Sequence, residues 1–248
     1  MITYRSAGMR IAELWYDEPA PRADVDIVRH RQALAPPDAS ACRPFHTLVI
    51  DLDASEDELL AGFDKLVRKS LRHAEREGVV CEVCDPADRD RLREFRAAFD
   101  RFAAERGIAP LPWRNVERLF AAGQLELSVA SVPGVVAPLV YHTELLVGSR
   151  VRLHQAVSPA RGTELRNTAG RANRALVWFG IRRLKARGFR TYDLGGWYEG
   201  QDDARKLQIN FFKEGFGGRV EVNYDAERLV TGRARVAAAV ARLIGRRR

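Results

Sequence analysis

The apolar positions change their period repeatedly along this chain, and the changes predict its elements. "FHTLVIDLD" (45–53) alternates as a strand does. "SEDELLAGFDKLVRKSLRHAEREG" opens on Ser55 and a run of acids, which predicts a helix N-terminus. Leu59, Phe63, Leu66, Leu71 and Ala74 then recur at helical spacing over 56–77, and Gly78 stops them. "VVCEVC" predicts a strand, and "PADRDRLREFRAAFDRFAAERG" a helix with proline in its first turn. "WRNVERLFAAG" predicts a second helix, and "QLELSVASV", "GVVAPLVYHTELLVG" and "SRVRLHQAVS" three successive strands on short glycine turns. "GRANRALVWFGIRRLKARG", "FRTYDLGG", "DDARKLQINFFKEGFGG" and "RVEVNYD" follow as helix, strand, helix, strand. This order predicts a mixed α/β layout, α+β in class. "ALAPPDASACRP" (33–44), rich in proline and small residues, separates a short N-terminal piece from the body.

The 248 residues suffice for a real core, and 46% hydrophobic with 30% charged residues is ordinary globular composition. Net charge changes the picture. At +8, with arginine far outnumbering lysine, it points to a phosphate-bearing or polyanionic partner. Lys65, Arg68, Lys69, Arg72 and Arg76 share one side of the 56–77 helix, so Arg68, Lys69 and Arg72 are candidate contacts for an RNA backbone or a lipid diphosphate. A solvated face explains the same stripe. Three cysteines build no disulfide framework; Cys81 and Cys84 form a lone C-x-x-C on a strand, where a structural role is expected and no metal. The N-terminus lacks an apolar stretch long enough for a signal peptide, and no window approaches a membrane span, so a cytoplasmic protein is expected.

One stretch resists the bland reading. "INFFKEGFGG" (209–218) sets Lys213 among Ile209, Phe211, Phe212 and Phe216, just before three glycines. A buried ammonium is costly unless it meets an anion or an acceptor.

"RKSLRHAEREGV" (68–79), "ANRALVWFGIRRLKARGFRTYDLGG" (172–196) and "FFKEGFGG" (211–218) together resemble the FemAB-type branch of the GNAT acyltransferases, over roughly residues 45–225. The resemblance implies a GNAT-like mixed twisted sheet flanked by helices, with a short N-terminal extension. It implies three parts: an extension at 1–44 packed on the body, an acyltransferase domain at 45–225, and a basic C-terminal helix at 226–248. It implies transfer of an aminoacyl group from aminoacyl-tRNA to an amine; acyl-CoA serves relatives of the same fold. The carrier is then a co-substrate, with no tightly bound cofactor. The acceptor is an amine on a cell-envelope precursor or a peptide. This chain departs from the larger enzymes of the branch, which pair two such units.

Such a transfer needs a polarised carbonyl, a deprotonated amine and a grip on the carrier's phosphates. The resemblance puts Lys213 beside the reacting ester. For the grip, GNAT folds use Q/R-x-x-G-x-G/A at a helix start; here "NTAGRA" supplies Asn167, Gly170 and Ala172, with Arg166, Arg171 and Arg174 around them. A plain helix cap is the alternative. Asp193 in "YDLGG" is a candidate base, or a partner for the N–H groups of its own turn. Glu144 and His142 share one face of a strand and His154 lies on the next, so each is a candidate to take the amine proton, and Tyr192 to protonate a leaving group. Ser158 has no base pattern near it, which favours direct attack by the amine. A GNAT-like module that binds anions without catalysis would need none of these. Val236, Val240 and Leu243, flanked by Arg235, Arg242 and Arg246, predict a C-terminal helix that docks on the body, meets an anionic membrane surface or touches RNA.

Overall fold

The computed structural model describes residues 1–21, 24–39, 41–159 and 164–245, the side chains of the last helix through Ala241. Leu243, Arg242 and Arg246 therefore lie outside the described side chains. The chain divides into two compact units: Met1–Thr47 with the chain from Glu221 on, and Leu48–Val220.

In the first unit, β1 (Ile2–Ser6) and β2 (Met9–Trp15) form an antiparallel hairpin across Ala7–Gly8, both at positive φ, as a two-residue turn of matching twist requires. β2 pairs in parallel with β3 (Ile27–Ala33), and β3 pairs antiparallel with the end of a late strand, Arg219–Leu229. No strand was expected before residue 45; this stretch supplies three. Buried Asp26 closes the unit. It accepts from Arg10 N (2.7 Å), Thr231 Oγ1 (2.8 Å) and Arg233 Nε (2.6 Å), which ties the start of the last helix, Gly232–Gly245, to β2 and β3.

The second unit carries the expected mixed sheet flanked by helices. β4 (Ala41–Asp51) leads into α1 (Glu56–Gly62), α2 (Lys65–Arg76), β5 (Val80–Val83), α3 (Arg89–Arg106) and α4 (Trp113–Ala121). Then come β6 (Leu125–Ser131), β7 (Val140–Val147), β8 (Arg150–Val157), α5 (Arg166–Ala186), β9 (Thr191–Gly196), α6 (Ala204–Glu214) and the late strand, β10, with α7 after it. Within this unit the strands lie in the order β4-β9-β8-β7-β6-β5. β5 to β8 are antiparallel neighbours, and β8 and β9 are parallel.

Several boundaries differ from the sequence reading. The single helix of 56–77 is two. Phe63 is extended (ψ 146°), and Asp64 restarts the helix by accepting from Val67 N at 2.6 Å. Phe63 is thereby driven into the core, while Leu66 is exposed. α3 begins at Arg89 behind the Asp88 cap, leaving Pro86 ahead of the helix, and β7 begins at Val140, after the turn that follows Pro133.

Strand alternation sorts the layers. Tyr141 of β7 packs against Phe95 of α3, with ring centroids 6.2 Å apart, while its neighbour His142 reaches α5. The main core gathers Leu48, Ile50, Phe63, Val67, Val177, Ile181, Tyr192, Leu194 and Phe216 between sheet and helices.

Candidate active site

The end of α6 is a packing joint. Phe212 and Phe216 stack edgewise at 5.4 Å, Phe216 meets Phe63 at 5.3 Å, and Phe63 meets Trp178 at 5.2 Å. The glycines let backbones touch. A Cβ on Gly215 would come within 2.9 Å of Val67 Cγ2, and Asp64 N donates to Gly215 O at 2.8 Å. Gly218 has φ +90°, and a Cβ there would be driven into the carbonyl of Val49. Aromatics and glycines thus pin α6 against the α1–α2 break and β4, and with it Lys213.

Lys213 is only 8% exposed and donates to Gly196 O at the end of β9. The parallel pairing of β8 and β9 stops at Arg152 and Asp193, and both strands run on beyond it. The gap falls beside a bare position: a Cβ on Gly195 would stand 3.6 Å from Arg152 Nη2 and 3.9 Å from Lys213 Nζ. Burial first, and the Arg152 guanidinium next, push the Lys213 pKa down to about 8, against the pull of Asp193. The joint therefore holds two converging cations in a dry place.

Asp193 is fully buried, and its Oδ1 accepts from Gly195 N at 2.6 Å, so the carboxylate shapes the glycine turn. His154 is the extra residue of a bulge in β8, opposite the Thr143–Glu144 step. Burial, then Arg152, push its pKa down to about 3, which keeps it neutral.

Glu144 and Tyr192 belong to a different place. Fully buried, Glu144 accepts from Tyr192 Oη (3.0 Å), Ser128 Oγ (3.1 Å) and Arg183 Nη2 (2.7 Å). Burial pushes its carboxyl up, while the Arg183 charge and the two hydroxyls oppose this. Gly180 of α5 lies directly over it, since any Cβ there would strike Glu144 Oε1. The strand parity of Tyr192 and Asp193 puts this network on the sheet face opposite Asp193. The sequence candidates are thus split into two groups, with Lys213 and Asp193 at the strand gap, where Arg152, which the sequence did not single out, joins them.

A cavity of about 350 Å³ opens at the start of α5, lined by Ser70, Ser158, Arg166, Asn173 and Arg174 among others. The helix begins at Arg166, four residues before the expected start. Asn167 and Gly170 lie within its first two turns, so Gly170 does not open the helix, and Ala172 is fully buried in the core rather than facing an anion. Leu165 caps nothing with its side chain. Arg171 is spent on Glu77 (Nε to Oε2, 2.8 Å) and Thr168 (3.1 Å). Arg174 is not. It donates to Gly170 O at 3.0 Å and lies over the Phe212 ring at 5.2 Å, but its buried Nε has no partner and no carboxylate within ion-pair range among the described residues. Burial lowers its pKa. Through Phe212, this cation abuts the helix that carries Lys213.

Along α2, Arg68 donates to Ala61 O (3.0 Å) and Phe63 O, closing the carbonyl end of α1, while Lys69 and Arg72 stay exposed. Burial pushes the thiols of Cys81 and Cys84 up to about 12. Val236 and Val240 of α7 are exposed. No described helix is long and apolar enough to cross a membrane.

No family model matches the sequence, and no curated protein matches it. Solved structures do. FemX shares the fold with a TM-score of 0.62 at 15% identity, over 75% of this chain and 61% of FemX. The C-terminal domain of a putative lysylphosphatidylglycerol synthetase from Agrobacterium fabrum gives 0.52 at 15% identity, over 88% of this chain and 72% of that one. L-PGS from Bacillus licheniformis gives 0.50 at 16%, over 88% and 73%. The chain spans about six tenths of the length of FemX and has its fold.

Proposed function

We propose that this protein is an acyltransferase that moves an aminoacyl or acyl group from an activated, phosphate-bearing carrier to an acceptor amine. The observation that carries the reading is the convergence of Lys213 and Arg152 on bare Gly195, where β8 and β9 part. The amine nitrogen attacks the acyl carbon, the bond from that carbon to the carrier's oxygen or sulfur breaks, and the amine's proton ends on the departing atom. Negative charge grows on the carbonyl oxygen meanwhile. With a pKa of about 8, Lys213 is mostly protonated at neutral pH and offers an N–H donor to that oxygen from a largely buried position. Neither Asp193 nor Glu144 faces solvent, so no buried carboxylate is assigned as base.

Aminoacyl-tRNA is the favoured donor. The intact "FK-x-G-FGG" supports it, and the name of one similar structure, a putative lysylphosphatidylglycerol synthetase, fits an aminoacyl group as the one transferred. Such a donor would place the protein in the cytoplasm. Exposed Lys69 and Arg72 are suited to an RNA backbone, and Val236, Val240 and Arg235 of α7 to a membrane-borne acceptor such as a cell-envelope precursor. A second reading, acyl-CoA as donor, is favoured by the cationic cavity at the start of α5. Purified protein offered charged tRNA or acyl-CoA with a panel of amines decides between them. Turnover with either donor that falls on the order of 100-fold in Lys213→Ala is expected. Full turnover in that variant, at intact fold, removes the lysine from the chemistry.

A further inference from the structure

Behind the cavity at the start of α5 stands a residue pair that the transfer chemistry leaves unused. His142 of β7 is completely buried, and its Nε2 lies 2.7 Å from Asn173 Oδ1 on α5. An amide oxygen only accepts, so the proton sits on Nε2. The opposite arrangement, with Asn173 Nδ2 donating, would strand a buried N–H at Nδ1, which has no partner among the described residues. A stranded donor costs more than a stranded lone pair. Burial pushes the imidazole pKa down to about 4, so the ring stays a neutral donor across the physiological range.

The consequence falls on Asn173. Its oxygen is committed inward, so its carboxamide cannot flip, and its nitrogen, which has no partner among the described residues, belongs to the wall of the cavity. The neighbouring Arg174 brings a half-buried guanidinium with no carboxylate in ion-pair contact among the described residues, the Asp64 charge acting on it only from a distance. Ser70 and Ser158 have given their hydroxyl protons to Leu66 O (2.7 Å) and Leu139 O (3.0 Å). Among the N–H groups of this wall, the two on Asn173 and the Nε of Arg174 are left without a partner among the described residues. A volume of about 350 Å³ suits a small ligand group.

We infer that Asn173 is a ligand-binding residue and His142 its positioning residue: Asn173 Nδ2 donates to a phosphate oxygen whose charge Arg174 balances. The inference rests on the reading of the protein as a transferase with a phosphate-bearing carrier, and it adds the group that orients the phosphate.

The test uses the full chain and inorganic pyrophosphate, with CoA and uncharged tRNA as further ligands, in titration calorimetry. Asn173→Asp keeps the acceptor for His142 but turns an oxygen toward the anion. It should weaken pyrophosphate roughly tenfold or more. Asn173→Ala should weaken it less. The same Asp substitution should weaken whichever of CoA and tRNA is the carrier, which names the phosphate's source. Because a variant at a buried contact can unfold, the wild-type protein supplies a second readout. In nitrogen-15 spectra His142 should titrate as the Nε2-protonated ring, and the Asn173 side-chain amide should shift on saturation with pyrophosphate. Unchanged pyrophosphate affinity in Asn173→Asp, or a stationary Asn173 amide, overturns the inference. Absence of pyrophosphate binding to a protein that still turns over also overturns it, and leaves the transferase reading standing. Absence of turnover with both donors strikes that reading instead, whatever pyrophosphate does.

Discussion

Replacing Lys213 by methionine should make the protein more stable and less active at once. The ammonium is 8% exposed, and its pKa falls from the ordinary 10.5 to about 8, chiefly through burial. A lysine whose pKa is lower folded than unfolded costs stability while it is protonated. That cost is complete below pH 8, shrinks between pH 8 and 10.5, and vanishes above. The gap corresponds to about 3 kcal/mol at pH 7. Methionine fills similar space without charge but loses the donation to Gly196 O, worth about 1 kcal/mol. Lys213→Met should therefore gain about 2 kcal/mol at pH 7 and close to nothing at pH 9.5, where about half the charge cost has already gone. Urea unfolding followed by tryptophan fluorescence is suitable, since Trp178 and Trp197 pack on the same core as Phe212. The difference between the two pH values matters more than either figure, because lost packing does not titrate. Turnover should meanwhile fall on the order of 100-fold. A variant less stable than the parent by the same amount at both pH values would falsify the picture of a desolvated cation held in place for chemistry.

Three further outcomes follow from the same geometry. If the protonated ammonium serves the transition state, wild-type turnover should decline as pH rises through about 8, and the residual activity of Lys213→Arg should show no such decline, which a pH–rate profile checks. Gly218→Ala should cost more than about 2 kcal/mol, because both its φ and its contact with Val49 O exclude a side chain; an ordinary melting temperature would mean that α6 is not held through this turn. Glu144→Gln should cost about 2 kcal/mol by removing the buried charge that faces Arg183, which keeps Glu126 as its second carboxylate, while leaving turnover near wild type; a large loss of turnover at unchanged stability would return Glu144 to the chemistry.

How much of this was legible in the sequence depended on whether the signal was local. Apolar period and glycine stops located the β6–β7–β8 meander and α6, because each element carries its own pattern. The break at Phe63–Asp64 escaped, since helical spacing continues through it; only the cap by Asp64 and the packing of Gly215 against it create the stop. The N-terminal strands escaped because a hairpin through Ala7–Gly8 offers little alternation, and because the second neighbour of β3 is a strand about 200 residues later. At the site, Lys213 stood out as a charge in an aromatic run, whereas Arg152 and Asn173 did not: an arginine on a strand and an asparagine on a helix acquire meaning only from what they face.

The same distinction explains the separation of Asp193 from Tyr192, neighbours in one motif. Adjacent strand residues point to opposite faces, so "YDLGG" had to send one side chain under α5 and the other toward the glycine turn. Tyr192 is consumed by Glu144, and Asp193 by Gly195 N. The motif thus works as a scaffold on both faces, and its product is the bare backbone at Gly195 and Gly196, beside which Lys213 is held. A glycine pair kept open by a carboxylate, next to a cation kept dry by phenylalanines, is an arrangement that gains nothing for stability. Lys213 costs about 3 kcal/mol where it stands. Persistence of such a cost is intelligible where charge must be met during a reaction, and in the proposed acyl transfer this lysine, rather than any carboxylate, is the group placed to meet it.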